Sequence, residues 1–418
     1  MRRLWLGVCC GVAAVVWGAA ISALGAARAD LALEIKADRQ EYLMDEPFYV
    51  MVRLRNTGAQ EARILRYFEP GTHFVSFEIA APGEGPQPYR PWVEGSFSPE
   101  GLAKGVVRLP PGQSYSGVVD LTYDGARGLV LSWPGEYRIE ARYAIREDLP
   151  AGPVDVRSNE LRVVVREPQG VDRGAYEVLQ KGARTHDRGL WNAYGEQKAC
   201  YERVLGEFPG SRYAPYVRFY LAQVHESAGD SAFSGLRGTA KGAAAIRRAA
   251  MLYQAVAEKA GGTAFGREAT RFAASAFAKV GDLVSAQTLF EEAFVSPQAT
   301  HQERLEVLSS LGHLESGLFH HESGLAPEMR TTRLRLPLRR FAEAMGLSVA
   351  WDPKTQSMRI SGPMVQAGLK PGEHPMYISG GFRTEVTVSV ENGRTMVSRS
   401  VIAALMAAQQ GRDASRMF

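Results

Sequence analysis

Two short runs of the sequence place an imidazole next to a carboxylate, side chains that could carry out acid–base or nucleophilic chemistry. The runs are His225-Glu226-Ser227 and His320-His321-Glu322. Successive residues of a helix project about 100° apart, so neither run can gather its side chains on one helical face. We therefore interpret both runs as solvated helix ends, and the pair Glu291-Glu292 as part of a helix surface. An activity assembled from distant residues stays open.

Other signatures of catalysis or metal binding are missing from the sequence. It contains no Gly-x-Ser-x-Gly elbow, no His-Glu-x-x-His helix, no His-x-His pair and no phosphate-binding loop. Of the three cysteines, Cys9 and Cys10 lie near the N-terminus and Cys200 is alone, so no disulfide is expected after export. We interpret Cys200 as a small buried hydrophobic residue. We predict no catalytic residues, no cofactor and no metal ligands.

The first 29 residues have the pattern of a secretory signal peptide. Arg2 and Arg3 form a basic start, residues 4–24 are uncharged and mostly apolar, and Ala27-Arg28-Ala29 is a small-x-small cleavage site. We expect export to the periplasm, the cell envelope or the exterior. The apolar run is long enough to span a bilayer, so retention as an N-terminal membrane anchor is the alternative.

Export would leave a nearly neutral chain. The full sequence has 49 Lys and Arg against 45 Asp and Glu, and Arg2, Arg3 and Arg28 fall in the predicted signal, which leaves 46 against 45. Without a long-range positive field, nucleic-acid binding is disfavoured. The length of 418 residues predicts roughly two to four domains.

Residues 30–168 have the pattern of an all-β region. Apolar residues alternate in about seven short stretches between Gly, Pro and Asn turns, which favours a two-sheet sandwich. The predicted strands lie near residues 31–35, 50–54, 74–79, 106–109, 115–123, 137–143 and 161–165. The Pro- and Gly-rich loop at 81–101 carries Tyr89, Trp92 and Phe97, the candidate partner contacts of this region. Alternatively, these rings fold back over the open end of the sandwich.

This region resembles the immunoglobulin-like sandwich modules of exported bacterial proteins, particularly the type related to a bacterial proteinase-inhibitor fold. The runs that carry the resemblance are Tyr42-Leu43-Met44-Asp45-Glu46-Pro47, Leu54-Arg55-Asn56-Thr57-Gly58, Pro134-Gly135-Glu136-Tyr137-Arg138 and Ser158-Asn159-Glu160-Leu161. These motifs shape turns and strand edges. The resemblance therefore implies a fold, and inhibition does not follow from it.

Residues 172–320 change to a helical period and become rich in alanine. The clearest unit covers residues 274–282 and continues with Ala286, Phe290, Ala293 and Pro297. It resembles the tetratricopeptide repeat family, whose stacked helical hairpins bind peptides or partner proteins along a concave face. We predict three hairpins with a long loop at 229–242. A stack that serves only as a spacer is the alternative.

Residues 334–360 join a helical period to a strand period. Apolar Phe341, Ala344 and Met345 share a helical face that ends at Gly346. Two half-buried strands are predicted from the alternation of Val349, Trp351, Met358 and Ile360 around a turn at Asp352. This stretch resembles the copper amine oxidase N-terminal-like domain. The matching runs are Leu336-Pro337-Leu338-Arg339, Ala342-Glu343-Ala344-Met345-Gly346, Val349-Ala350-Trp351-Asp352 and Met358-Arg359-Ile360.

The resemblance implies a small α/β (α+β) domain at residues 328–412. The motif positions that would have structural roles in it are Pro337, Arg339, Glu343, Gly346, Trp351 and Asp352. A degraded second copy follows 61 positions later, with Ser398-Arg399-Ser400 in place of Pro-Leu-Arg. In the family, this domain is a non-catalytic appendage of secreted and cell-surface proteins, so the name does not imply amine oxidation.

The sequence thus predicts a multidomain protein with an all-β sandwich, all-α helical-hairpin repeats and a small α/β domain. We expect a non-catalytic exported scaffold that binds protein partners or cell-wall polymer, and a membrane only if the N-terminal segment is retained. The alternative is an inhibitor or accessory subunit of an exported hydrolase that acts through the sandwich. A copper-binding oxidoreductase subunit ranks last. The oligomeric state is left open.

Overall fold

The structure is a computed structural model that describes residues 30–410 except 93–94, 96, 185–190, 192–196, 231–238, 316–333, 356, 364, 371, 379–381 and 392–393. The predicted signal peptide and the run His320-His321-Glu322 lie outside these residues. A β-rich region, a helical region and a C-terminal region of strands with two helices follow one another along the chain. None of the helices within the described part is long and apolar enough to cross a membrane.

The β-rich region consists of two main sheets packed on one hydrophobic core. Its elements are β1 Leu31–Ala37, β2 Glu41–Leu43, β3 Tyr49–Asn56, β4 Ala62–Leu65, β5 Val75–Ala80, β6 Gln87–Pro88, α1 Pro99–Lys104, β7 Val106–Leu109, β8 Ser114–Asp120, β9 Tyr123–Asp124, β10 Gly128–Leu129, β11 Gly135–Ile145, β12 Val154–Arg157 and β13 Leu161–Arg166. One sheet has the order β1-β3-β8 and the other β2-β13-β11-β5-β6, with β12 beside β11. Each predicted strand is present, because alternating side chains enter the shared core.

The helical region contains more helices than the three predicted hairpins would supply. The described ones are α2 Gly170–Arg184, α3 Lys198–Glu207, α4 Ala214–Asp230, α5 Ala240–Ala260, α6 Ala264–Lys279, α7 Leu283–Val295 and α8 His301–Glu315. Part of the loop predicted at 229–242 is helical, since α4 continues to Asp230 and α5 begins at Ala240. The Thr239 side chain caps α5 by accepting a hydrogen bond from the Gly242 amide at 3.0 Å.

The run His225-Glu226-Ser227 is not a solvated helix end. Glu226 accepts hydrogen bonds from Lys279 Nζ at 3.0 Å and from the Tyr253 hydroxyl at 2.8 Å, so it ties α4 to α5 and α6. Burial lowers the pKa of His225. The sequence interpretation was wrong because the neighbours that bury a helix face come from elsewhere in the chain.

The turn after β2 connects the β-rich region to the helices. The Asp45 carboxylate accepts a hydrogen bond from the Tyr176 hydroxyl at 2.9 Å. The backbone carbonyl of Asp45 accepts another from Trp191 Nε1 at 2.6 Å. Beside it, buried Glu46 pairs with Arg212 at 3.1 Å. Burial raises the pKa of both carboxyls. Such buried contacts hold the two regions in one orientation.

The C-terminal region is a seven-stranded antiparallel sheet with two helices. Its elements are β14 Arg335–Pro337, α9 Leu338–Ala344, β15 Ser348–Asp352, β16 Ser357–Ser361, β17 Gln366–Leu369, β18 Gly372–Ile378, β19 Phe382–Glu391, β20 Arg394–Ser398 and α10 Arg399–Gln409. The strand order is β14-β20-β19-β18-β17-β16-β15. Phe294 of α7 packs on Phe341 of α9 with ring centroids 4.5 Å apart, so the core continues into the helical region.

The two sequence copies are related by a local twofold axis that passes through a pair of adjacent strands. In the antiparallel pair β14–β20, Leu336 lies opposite Val397, and these two residues are 61 positions apart, which is the repeat offset itself. Helices α9 and α10 follow directly from the paired strands. The degraded copy is the more buried one, since every residue from Val401 to Ala407 is buried.

Each copy also forms an ion pair with the helical region. Arg399 of α10 pairs with Glu315 at 3.0 Å, and Arg340 of α9 pairs with Glu291 at 3.9 Å. The Glu291 side chain is only 14% exposed. Its assignment to a helix surface was therefore wrong, because α9 covers it.

Candidate functional site

The motif residues of the first copy surround a groove, which we name the motif groove. It has a volume of about 660 Å³. Its lining consists of Pro337, Arg339, Arg340, Glu343, Trp351, Met358, Val390, Arg394 and Thr395. Four of the six predicted motif positions thus line one surface depression. The other two, Gly346 and Asp352, shape the backbone beside it.

Helix α9 supplies Arg339, Arg340 and Glu343 to the groove, and it is short and sharply ended. Gly346 has φ of 78°, a conformation that residues with a Cβ rarely adopt. The Leu347 amide donates to the Ala342 carbonyl at 2.9 Å, and the Gly346 amide to the Glu343 carbonyl at 2.9 Å. These two bonds form a Schellman ending, as the Gly predicts.

The β15–β16 hairpin supplies the aromatic ring. The Asp352 carboxylate accepts a hydrogen bond from the Lys354 amide at 2.9 Å, and this bond lowers the pKa of the carboxyl. Trp351 lies opposite Met358 in the strand register. Met358 is buried while Trp351 is 47% exposed, so Trp351 does not belong to a half-buried core face as the alternation predicted.

The groove runs between the two edges of the sheet. Pro337, Arg394 and Thr395 belong to β14 and β20 at one edge, whereas Trp351 and Met358 belong to β15 and β16 at the other. A single depression can touch both edges only if the sheet curls strongly. Helix α9 contacts β14, β15 and β20 and so lies across the gap. The strand twist that brings the edges together therefore builds the groove.

Charge and apolar surface occur together in this groove. Three guanidinium groups line it against one carboxylate, Glu343. Arg339 reaches Glu343 only at 4.0 Å, and both side chains are more than half exposed. Val390, 58% exposed, and Trp351 add apolar surface that water covers poorly. Such an arrangement can bind an amphipathic anion.

Potential metal ligands and a lone cysteine, Cys200, occur among the described residues. No group of three or more His, Cys, Asp or Glu side chains in that part of the chain could hold a metal ion. Cys200 lies close to the Val178 carbonyl, with Sγ at 3.4 Å from the oxygen. Burial raises the pKa of this thiol, which lowers its reactivity at neutral pH.

The three candidate contacts of the sandwich loop differ in their surroundings. The Tyr89 hydroxyl donates to the Tyr123 carbonyl at 2.8 Å, and Phe97 stacks on Tyr67 with centroids 4.3 Å apart. These two rings fold back onto the sandwich. Trp92 touches Tyr123 edge-on but is 72% exposed. The structure does not bring the three rings together into one surface.

A carboxylate pair that sequence patterns did not indicate lies between the sandwich and α6. Tyr49 lies opposite Asp120 in the β3–β8 register and hydrogen-bonds Glu268. Burial, together with the nearby charge of Asp120, raises the pKa of Glu268 to about 7. The two carboxylates are far apart in the chain, so no local spacing could have revealed them. The Tyr49–Glu268 hydrogen bond crosses from the sandwich to α6.

Comparison with known proteins supports the resemblance of the C-terminal region. A family model described as the copper amine oxidase N-terminal domain matches residues 321–416, so this part of the chain is similar to that domain. The domain is a non-catalytic accessory part of its proteins. No curated protein matches the chain.

Several solved structures overlap about a third of the chain. The CARDB domain of a Pyrococcus furiosus protein, in complex with two metal ions, shows 14% identity over 34% of this chain and 90% of its own, with a TM-score of 0.18. A sporulation control protein of Bacillus subtilis shows 13% identity over 36% of this chain and 55% of its own, with a TM-score of 0.20. A β-glucosidase of Listeria innocua shows 15% identity over 32% of this chain and 16% of its own, with a TM-score of 0.18. No activity follows from these overlaps.

Proposed function

We propose that the protein is an exported, non-catalytic scaffold that attaches to a cell-envelope macromolecule through the motif groove. The observation that supports this most is the groove itself. It exposes Trp351 and Val390, two large apolar residues, beside three arginines. Exposed apolar surface with a charged rim is typical of binding sites.

The β-rich region and the helical region would form an arm joined to this attachment site. We take the β-rich region to be an immunoglobulin-like sandwich and the helical region to be tetratricopeptide-like repeats. Asp45 and Glu46 join the two through buried hydrogen bonds, which supports a rigid arm that carries further partners. Export rests on the signal-like pattern of residues 1–29.

The test is sedimentation of the full-length protein with insoluble bacterial envelope material. We expect the protein to be retained and Trp351→Ala to reduce retention. Trp133→Ala is the matched control, because Trp133 is 67% exposed but lies in the β-rich region. If both variants and the unchanged protein were retained equally, the motif groove would not be the attachment site.

The alternative function, an inhibitor or accessory subunit of an exported hydrolase, would use the sandwich loop. The exposure of Trp92 is the observation that supports this alternative. It predicts that the full-length protein alters the activity of an exported hydrolase and that Trp92→Ala abolishes the effect while Trp351→Ala does not. No effect across a panel of such hydrolases would count against it.

A further inference from the structure

We infer that the motif groove binds an anionic polysaccharide, a polymer whose sugar rings carry carboxylate or phosphate groups. This inference rests on the proposed function and names the chemical class of the attached polymer. Three features of the groove carry it: its arginines, its apolar floor and its remaining polar groups.

The arginines specify an anion. Arg339 and Arg340 are both more than half exposed, and their ion-pair partners are no closer than 3.9 Å. Burial raises the pKa of the Glu291 carboxyl, and the nearby charges of Arg340 and Arg394 both oppose that rise, so Arg394 belongs to the same positive cluster. A guanidinium group presents a planar fork of donors that matches a carboxylate or phosphate.

The apolar residues specify more than a small inorganic ion. Trp351 and Val390 would stay in contact with water if a lone phosphate or carboxylate occupied the arginines. A sugar ring has one face of C–H groups, which can cover an indole, and a rim of hydroxyls. The groove volume, about 660 Å³, is within the range of ligand sites.

The remaining polar groups favour a glycan over other polyanions. The Glu343 carboxylate can accept hydrogen bonds from ring hydroxyls and Thr395 can exchange them, whereas the ionised side chains of an acidic peptide carry no hydroxyl that could donate to Glu343. Nucleic-acid grooves stack successive bases on several aromatic rings. Among the described residues that line this groove, Trp351 supplies one ring.

The experiment measures binding of the full-length protein to matched polymers. The probes are phosphomannan and unphosphorylated mannan, polygalacturonate, polyglutamate and duplex DNA. We expect binding to phosphomannan, polygalacturonate or both, and none to mannan. Affinity should fall roughly twenty- to fortyfold between about 50 and 200 mM salt, as about three ionic contacts imply. Preference between the two anionic glycans distinguishes phosphate from carboxylate.

Variants connect the binding to the groove. Arg339→Gln and Arg394→Gln should each weaken binding roughly fivefold, the equivalent of one exposed charge pair. Arg146→Gln is the control, because Arg146 is exposed and its ion-pair partner among the described residues is Asp148 in the sandwich. Trp351→Ala should weaken binding equally at low and high salt, because ring stacking involves no counterion release.

The outcomes separate this inference from the proposed function. Equal binding of mannan and phosphomannan would overturn the anionic class while leaving attachment to the envelope intact. Tighter binding of polyglutamate or DNA than of either anionic glycan would overturn the glycan class. Retention on envelope material without binding to any probe would overturn this inference alone. No retention and no binding would overturn both.

Discussion

The two sequence copies in the C-terminal region share a residue pattern but differ in their surroundings. With an offset of 61 positions, Phe341 corresponds to Ile402, and both are buried. Glu343, in contrast, corresponds to Ala404, which is fully buried, while Glu343 itself is exposed. The first helix therefore keeps one polar face, and the second has lost it.

This difference shows what the family motif preserves. Helix α9 carries Arg339 and Glu343, directly follows Pro337 of β14 and lies at the surface beside the groove. Helix α10 lost those residues and became the core against which α8, α9 and two strands pack. The degraded copy thus supplies the buried core, and the motif copy would supply binding under the proposed function.

Exchange of corresponding residues should produce the largest effect. Ala404→Glu places the residue of the first copy into the buried helix, at a position that is fully buried among apolar residues. We expect a loss of about 4 kcal/mol in the free energy of unfolding, or failure to fold. The reciprocal Glu343→Ala should change stability by less than about 0.5 kcal/mol. Urea denaturation of both variants measures the contrast, and similar midpoints would contradict it.

The two ion pairs to the helical region should differ by a smaller amount. Arg399→Gln removes a half-buried contact at 3.0 Å to Glu315 and should cost about 1.5 kcal/mol. Arg340→Gln removes a longer, more exposed contact to Glu291 and should cost less than about 0.5 kcal/mol. Thermal denaturation with and without Glu315→Gln gives the coupling energy of the first pair. A coupling near zero would show that the contact at 3.0 Å stabilises nothing.

The helix ends provide the next comparison. Gly346 corresponds to Ala407, and α10 continues two residues beyond that point, to Gln409. Gly346→Ala should cost about 1 kcal/mol, because its φ of 78° is unfavourable for a residue with a Cβ. Among the described residues, the new Cβ would approach Gln409 Nε2 at 3.9 Å, which is an ordinary contact distance, so no clash adds to the cost. An unchanged melting temperature would contradict the need for glycine here.

The smallest effect on stability is expected at the residue most dedicated to binding. Arg339→Gln should change the free energy of unfolding by less than about 0.3 kcal/mol, because Arg339 is largely exposed and reaches Glu343 only at 4.0 Å. Its effect should be confined to polymer binding. A clear loss of stability would instead assign Arg339 to the fold.

Local patterns predicted those elements whose residues face one shared core. The strands around Val52 and Ile139 alternate because every second side chain is buried. Short pieces such as β6 and β9 were missed, since two-residue strands have no period. Helix α1 was missed too, although Ser98 caps it by accepting a hydrogen bond from the Gly101 amide.

The candidate site was predicted only in part. Gly346 and Asp352 take the backbone roles that the motif implies, and both are visible in sequence because they act on their immediate neighbours. Val390 and Arg394 carry no such signal. They reach the groove because the sheet curls, and the curl of a sheet cannot be predicted from the sequence of a single strand.

By itself, the sequence determined the succession of a β-rich region, a helical region and a motif-bearing C-terminal region, since period, turn residues and helix ends are local properties. Only the tertiary structure decided that Glu226 and Glu291 are covered, that Trp351 stays exposed, and that the degraded copy forms the core. The physical reason is that burial depends on which surfaces, from distant parts of the chain, pack together. The free energy of that packing is distributed over the whole interface.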